Sequence, residues 1–511
     1  MSEPMDVRSR AGATACLLIA LLALASVAPQ VAPGATASAA AEGKQAKQRK
    51  QRLEKLRRAN RKQKRPNVVV VMTDDQSDSM LGLGGVVKQV GGRGTTFRNS
   101  YVSFPLCCPA RATLLTGQYA HNHGVVSTEL PNGYNGLDHS NTLAVWLRRA
   151  GYRTAMVGKY LNGYGLNDGI AERVKDAREI PPGWNDWYAL TGNTDQKRYR
   201  YKLNENGKIR RYGKGAKNYV TDVLAKKALN VVDRRAKRPK PFFLWFNPTA
   251  PHGERGNPAG ASRNPRPARR HHGRFESLTA PHPPNFNEAD VSDKPGFIRA
   301  LPPFSSEEIL DFDRRFRGRA ESLLSVNQAV KRLLRRLRKA GDLRKTYVIF
   351  TSDNGLMMGA HRLTLKNYLY EEDTKVPLLI RGPRFPAGAL RDQFVSNVDL
   401  APTIVELTGA RPGRTMDGRS LLGPANDPSV GTGRELLFEI SGDVAGIRSG
   451  KWIYIDRGAG SINELYDMVA DPFQLENRLG VMPVDPADTA IAGQLAARLS
   501  QLRSCSGASC P

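Results

Sequence analysis

Acid is short in this 511-residue chain, with 48 Asp and Glu against 77 Lys and Arg, and cysteine is scarce, with five in all. Long apolar runs are scarcer still: after Ala15–Val27 no second one follows, so no later segment is expected to span a membrane. No helix-turn-helix, zinc-finger or RNP pattern occurs, so nothing makes nucleic acid the preferred partner of this basic chain. Cys16 falls in the early apolar run, and Cys505 and Cys510 are placed to close a small loop in an oxidising compartment. That leaves the adjacent Cys107 and Cys108, which as neighbours would bridge each other only under strain and need another explanation.

Apolar residues make up 40% and charged residues 24% of the chain, enough for a large globular core. The net charge is +29, of which the first 66 residues carry +10. A surface of this sign suits polyanionic partners; a general basic bias with a solvated tail accounts for it equally well. Residues 1–41 have the layout of a secretory leader: Arg8 and Arg10, then Ala15–Val27, then small residues at Ala35-Thr36-Ala37 or Ala37-Ser38-Ala39. The expected product is secreted or wall-associated, with a retained N-terminal anchor as the alternative. Residues 42–66 form a basic low-complexity arm outside the core.

From Asn67 the texture changes. Asn67–Met72 is a continuous β-branched run, the pattern of a strand buried on both faces, and similar runs recur at Thr154–Val157, Phe242–Phe246, Thr346–Phe350 and Leu378–Ile380. Helical patterns alternate with them. The clearest covers 306–340, opened by a capping box from Ser305 to Glu308. The expected class is α/β, a large mostly parallel sheet flanked by helices across 67–424. Shorter strand-like pieces and a helix at Thr489–Leu502 predict a smaller α+β subdomain across 425–511. Residues 253–300 read as a long loop over one sheet edge.

Ligands bind open α/β sheets beyond the carboxyl ends of the strands. Asp74 and Asp75 follow the first strand, Asp353 and Asn354 another, and Lys159 and His252 stand just past two more. Either acidic pair alone is an ordinary turn; both behind buried strands favour a hard divalent cation, because converging carboxylates repel without one. In FPLCCPARATLLTG, Pro109 suits a first helical turn, so Cys107 and Arg111 would sit beside free N–H groups able to cradle an anion. On spacing alone, Cys107 reads equally as a nucleophile or as an apolar core residue.

The run Cys107, Pro109, Arg111 and Thr116-Gly117 resembles the signature of the type I sulfatases, in which the cysteine is oxidised to Cα-formylglycine. The resemblance continues through GKYLNGY, NPTAPH, TSDNG, LYEEDTKVPLLIRGP and ELYDMVADPFQLENRL, and is nearest to N-acetylglucosamine-6-sulfatases and heparan endosulfatases. It implies an alkaline-phosphatase-like sandwich. It implies Ca²⁺, with Mg²⁺ as the alternative, held by Asp74, Asp75, Asp353, Asn354 and the modified residue 107. Arg111 and Lys159 would steady the formylglycine, while His252 and Lys366 would grip sulfate and help the leaving oxygen depart. The implied reaction is attack on sulfur by the hydrated aldehyde. A formylglycine-generating enzyme is the implied partner in biosynthesis. The implied substrate is a 6-sulfated glucosamine or related glycan, with small aryl sulfates, or phosphonate and phosphate esters, as alternatives. Leu161 stands where many members carry a histidine, which puts in doubt the group that removes a proton during sulfate release; Asn162 nearby would offer only a hydrogen bond.

Other residues read more plainly. His121 and His123 are at least as well explained by structure as by the pocket. His271 and His272 are expected in solvent, Trp184 and Trp187 in the core, and Asp399 as a helix cap.

Overall fold

The β-branched run forms strand β1 (Asn67–Thr73), in which every residue is buried. Val68, Val70 and Met72 pack on one face of the sheet and Val69 and Val71 on the other, because side chains alternate along a strand. This is the double burial the run predicts. The computed structural model describes residues 65–511 except 84, 167–176, 193–195, 237 and 255–263. The leader-like segment and nearly all of the basic arm lie outside the described residues.

Nine further strands complete the main sheet: β2 (Thr95–Phe97), β3 (Arg153–Gly158), β4 (Asp186–Leu190), β5 (Lys202–Glu205), β6 (Lys208–Arg211), β7 (Phe242–Asn247), β8 (Thr346–Ser352), β9 (Leu378–Arg381) and β10 (Ala389–Arg391). Their order is β10-β2-β9-β8-β1-β7-β3-β4-β5-β6. The central five, β8, β1, β7, β3 and β4, run parallel. Antiparallel pairings of β9 and of the β5–β6 hairpin close the two sides. Val71 lies opposite both Phe246 and Phe350, and Thr73 opposite Ser352. Strands β1 and β8 therefore end in step, and the residues after them meet at one rim.

Helices cover both faces. Helix α1 (Cys107–Thr116), α2 (Leu143–Arg149) and α5 (Leu400–Thr408) pack with Val68 and Val70, while α3 (Val220–Arg235) and α4 (Ser306–Lys339) pack with Val69 and Val71. The capping box of α4 forms as its sequence predicts, with the Ser305 hydroxyl accepting from the Glu308 amide. Of the loop expected over 253–300, the described part rides on the outer helices, with Arg270 bidentate to Asp222 of α3 and the Ala280 amide on Asp313 of α4, and then reaches the C-terminal subdomain, where Asn477 Nδ2 donates to the Asp293 carbonyl at 3.0 Å.

A second sheet of four antiparallel strands, β11 (Leu436–Glu439), β12 (Ala445–Ser449), β13 (Trp452–Asp456) and β14 (Glu464–Asp467), builds the C-terminal subdomain. Leu437, Ile447 and Leu465 pack under helix α6 (Pro486–Leu502), whose first turn is capped by Asp485. The Cys505–Cys510 disulfide is formed and buried beside them. Among the described residues, no helix is long and apolar enough to cross a membrane.

Trp184 and Trp187 are core residues, as expected, with Trp187 edge-on to Tyr160 at 5.0 Å. One reading needs correction and another is too narrow. His271 is buried near Leu324 and Gln328 of α4 while His272 is exposed; the short turn Arg269–His271 directs one ring inward, which two adjacent histidines cannot signal. Asp399 forms a capping box with Ser396 on the turn Asn397–Asp399 that leads into α5, and makes no cap bond to α5 itself. Its carboxylate holds Arg434 at 2.6 and 2.9 Å and accepts from the amides of Ser396 and Arg419, because a buried guanidinium demands a bidentate partner.

Candidate active site at the carboxyl rim of the sheet

The in-step ends of β1 and β8 set Asp74 and Asp75 beside Asp353 and Asn354. The Asp75 amide donates to Asp353 Oδ1 at 3.0 Å, and Asn354 Nδ2 donates to Asp75 Oδ1 at 2.8 Å. Asp75 has φ of 65°, a left-handed conformation that costs energy in a non-glycine residue and needs surrounding support. Part of that support is Arg319 of α4, whose guanidinium donates to the carbonyls of Asp75 and Pro251.

Helix α1 aims its amino end at this rim. Cys107 Sγ lies 3.5 Å from Asp74 Oδ1 and 4.0 Å from Asp75 Oδ1. One turn on, Arg111 Nε donates to Asp353 Oδ2 at 2.8 Å and Nη1 to the Lys159 carbonyl at 2.8 Å. The whole helix is buried, so its single arginine is locked.

Lys159 follows β3, whose last residue is Gly158 with φ of 123°. A Cβ there would fall 1.9 Å from the Asn247 carbonyl oxygen, so only glycine lets β3 and β7 close up at the rim. That approach presents Lys159 Nζ to Asp74 Oδ2 at 2.9 Å and to Cys107 Sγ at 3.2 Å. From the opposite side Lys366 reaches Cys107 Sγ at 2.7 Å and pairs with Asp75 Oδ1. His252 Nε2 stands 3.6 Å from Asp75 Oδ2, and its Nδ1 lies 2.6 Å from the Gly253 carbonyl, which fixes that nitrogen as the donor.

Asp74, Asp75 and Asp353 thus share one pocket with four basic side chains, Arg111, Lys159, His252 and Lys366, and the charges act on one another. Burial opposes ionisation of Asp74, yet Lys159, His252 and Arg111 outweigh it and hold the carboxyl below its ordinary range. Burial is likewise overcome at Asp75 by Lys366 and His252. Lys159 and Lys366 stay charged well past neutral pH: burial works against them, but Asp74 favours the first ammonium and Asp75 the second. Burial pushes the Cys107 thiol up despite both lysines, so an unmodified thiol would be a poor nucleophile here. Burial pushes His252 down, although Asp75 and Asp74 oppose it.

Asp74, Asp75, Cys107 and His252 offer ligand atoms within 4.8 Å of one another. The carboxylate oxygens suit a hard divalent cation. A positive charge is already demanded at this point, because Lys366 Nζ touches Asp75 Oδ1, Cys107 Sγ and, at 3.4 Å, Asn354 Oδ1. The residues present therefore fit such an ion. Asp353 is more constrained, with Oδ1 taken by the amides of Asp75 and Asn354 and Oδ2 by Arg111.

All nine residues singled out from the sequence meet at this rim. Arg319 was missed, although a charge at position 319 interrupts the apolar stripe Phe312, Phe316, Ala320 and Leu323. Arg198 was also missed. It is buried and holds the loop that carries His252, donating to Thr249 Oγ1 at 3.0 Å and to the His252 carbonyl. Leu161 is buried core, while the Asn162 backbone carbonyl accepts from the Tyr134 amide. His123 is structural, with Nε2 3.1 Å from Thr113 Oγ1. His121 is structural too, and turns to Glu439 in the C-terminal subdomain.

A family model described as Sulfatase matches residues 66–410, and one described as N-sulphoglucosamine sulphohydrolase, C-terminal, matches 359–505. The N-acetylglucosamine-6-sulfatase of Capra hircus is 34% identical over 498 residues, which cover 88% of this chain and 85% of that relative. Among solved structures, one in complex with its substrate D-glucosamine-2-N,6-O-disulfate aligns with a TM-score of 0.68 at 24% identity, covering 86% of this chain and 97% of the other. The phosphonate monoester hydrolase of Agrobacterium radiobacter aligns at 0.66 and 21%, covering 86% and 96%. The two structures share the fold.

Proposed function

We propose that this chain, which belongs to the sulfatase family, hydrolyses sulfate monoesters on sugars, with 6-sulfated glucosamine as its preferred unit. The observation that carries the reading is the convergence of Asp74, Asp75, Arg111, Lys159 and Lys366 on the side chain of residue 107. The named activity of the goat relative, and the disulfated glucosamine bound to the structural relative, support the choice of sugar.

In this reading Asp74, Asp75, Asp353 and Asn354 hold Ca²⁺ together with residue 107, which a formylglycine-generating enzyme has oxidised before export through the leader-like segment. Bound there, the ion neutralises charge, and the hydrated aldehyde supplies both the nucleophile and the route by which sulfate leaves. Arg111 fixes Asp353 and the helix turn, so the reacting atom is placed before substrate arrives. Lys159 and Lys366 donate to the sulfuryl oxygens, whose charge grows in the transition state. The ester's own negative charge favours the imidazolium of His252, so Nε2 and Lys366 Nζ are the groups that deliver a proton to the departing alcohol.

The test is sulfate release from N-acetylglucosamine-6-sulfate, measured beside nitrophenyl sulfate, nitrophenyl phosphate and a phosphonate monoester. Faster turnover of the phosphorus esters would overturn the reading. Intact mass of the peptide spanning 99–111 checks the modification, expected as a loss of about 18 Da from the cysteine form.

A further inference from the structure

Along helix α4, running away from the active site, the surface carries a run of cations, and among the described residues no acid lines it. Strand β8 begins just past Leu343 and Arg344 of the first depression and ends at Ser352, beside Asp353, about 20 Å away at roughly 3.3 Å per residue. Three depressions adjoin one another here, of about 630, 410 and 530 Å³. Arg93, Arg338 and Arg381 line both the first and the second, and Lys331 lines the second and the third. Lys88 and Arg335 complete the middle of the run. No Asp or Glu lines any of the three.

The arrangement follows from the helix. Lys331, Arg335 and Arg338 are spaced i, i+4, i+7 and share one exposed stripe of α4, while Leu333, Leu334 and Leu337 take the buried side. From Leu324 to Arg338 that stripe is about 21 Å long at roughly 1.5 Å per residue. Lys88 and Arg93 face it from the segment before β2, and Arg381 from the end of β9, where its Nη1 donates to the Gln89 carbonyl at 2.9 Å. Burial and the like charges of Arg338 and Arg93 push the Arg381 guanidinium pKa down. Elsewhere on the surface such residues find acids, as Arg98 has Asp392 and Arg336 has Asp233, and within the third depression Arg270 has Asp222. Among the described residues no carboxylate pairs with Lys88, Arg93, Lys331, Arg335 or Arg338. Cations crowded without counter-charges along a groove repel one another until an anionic partner enters.

We infer that this groove docks a sulfated polysaccharide, holding the polymer at a second site remote from the catalytic rim. The choice of a sulfated chain over other polyanions rests on the proposed sulfatase activity, since an enzyme held on its own polymer meets sulfated termini at high local concentration. Lysines and arginines spaced along a single stripe match sulfates repeating along a chain, and the groove lacks exposed aromatic rings on which nucleobases would stack.

The test uses the full chain with heparin as the probe. The triple variant Lys331→Gln, Arg335→Gln, Arg338→Gln is compared with Lys208→Gln, Arg210→Gln, Arg211→Gln, which removes equal charge from the exposed β5–β6 hairpin. The groove variant should elute from immobilised heparin at distinctly lower salt. Its KM for a heparin-derived oligosaccharide should rise roughly tenfold, with kcat for a sulfated monosaccharide and the melting temperature unchanged. Equal loss of retention in the hairpin variant would overturn the inference, as would unchanged retention in the groove variant. Tighter competition by single-stranded DNA than by heparin would overturn the choice of polymer. Cys107→Ala should keep full heparin retention, so failure of the catalytic reading and failure of the groove are told apart.

Discussion

Arg111 Nε donates to Asp353 Oδ2 at 2.8 Å across 242 residues of sequence, and both side chains are wholly buried. This contact ties the helix that presents Cys107 to the strand end that supplies half of the acidic rim. Breaking it should disturb the placement of residue 107 and the charge balance together.

Arg111→Lys keeps the charge but loses the planar fork that reaches Asp353 and the Lys159 carbonyl at once. We expect kcat on a sulfated monosaccharide to fall about 100-fold or more. Stability should drop by about 1–3 kcal/mol, because a buried acceptor is left short of a donor. Steady-state kinetics and urea unfolding measure the two effects separately; an unchanged kcat would remove Arg111 from the site.

Lys366→Met should discriminate between leaving groups. A sugar alcohol needs a proton as it departs and nitrophenol hardly does, so the variant should lose about 10²- to 10⁴-fold on sugar sulfate and much less on nitrophenyl sulfate. Equal losses on both would assign Lys366 to sulfuryl binding alone.

Chelation with EGTA should abolish turnover, and added Ca²⁺ should restore it. Because a ligand that binds only the folded chain stabilises it, the melting temperature should rise with Ca²⁺ in the parent and much less in Asp75→Asn. A parent melting temperature that ignores Ca²⁺ would count against the ion.

His121 links the catalytic part to the C-terminal subdomain through Glu439 Oε1 at 2.7 Å and the Cys505 carbonyl at 2.8 Å, two acceptors that together call for a doubly protonated ring. Burial lowers its pKa, but Glu439, the Cys505 carbonyl and Asp417 outweigh that and raise it. A raised folded-state pKa stabilises fully below the unfolded value of about 6.5 and is lost as pH climbs through the folded one. His121→Gln should therefore lose about 1 kcal/mol at pH 5.5 and little at pH 9. Urea titrations at both values check the sign.

Much of the site was readable because it depends on local chemistry. β-branched runs named the buried strands, and residues just past a strand end were bound to share a rim once the strands were parallel. Asp74, Asp75, Lys159, His252, Asp353 and Asn354 follow from that rule, the role of Cys107 came with the signature, and Lys366 came with the wider family resemblance. The one-residue register between β1 and β8 that brings Asp75 against Asp353 had no local signal.

What the sequence determined by itself was the period and composition of each element, since strand alternation and helix repeat act over a few residues. Which of many like residues turns inward was decided only by tertiary packing. Helix α4 is crowded with arginines, yet Arg319 supports Asp75 from inside the protein while Arg335 and Arg338 line an open groove. Asp399 caps the turn before α5, as expected, and also holds Arg434, which nothing local signals. A guanidinium is worth burying only where carbonyls or a carboxylate from distant chain await it, and that coincidence exists only once the layers have packed.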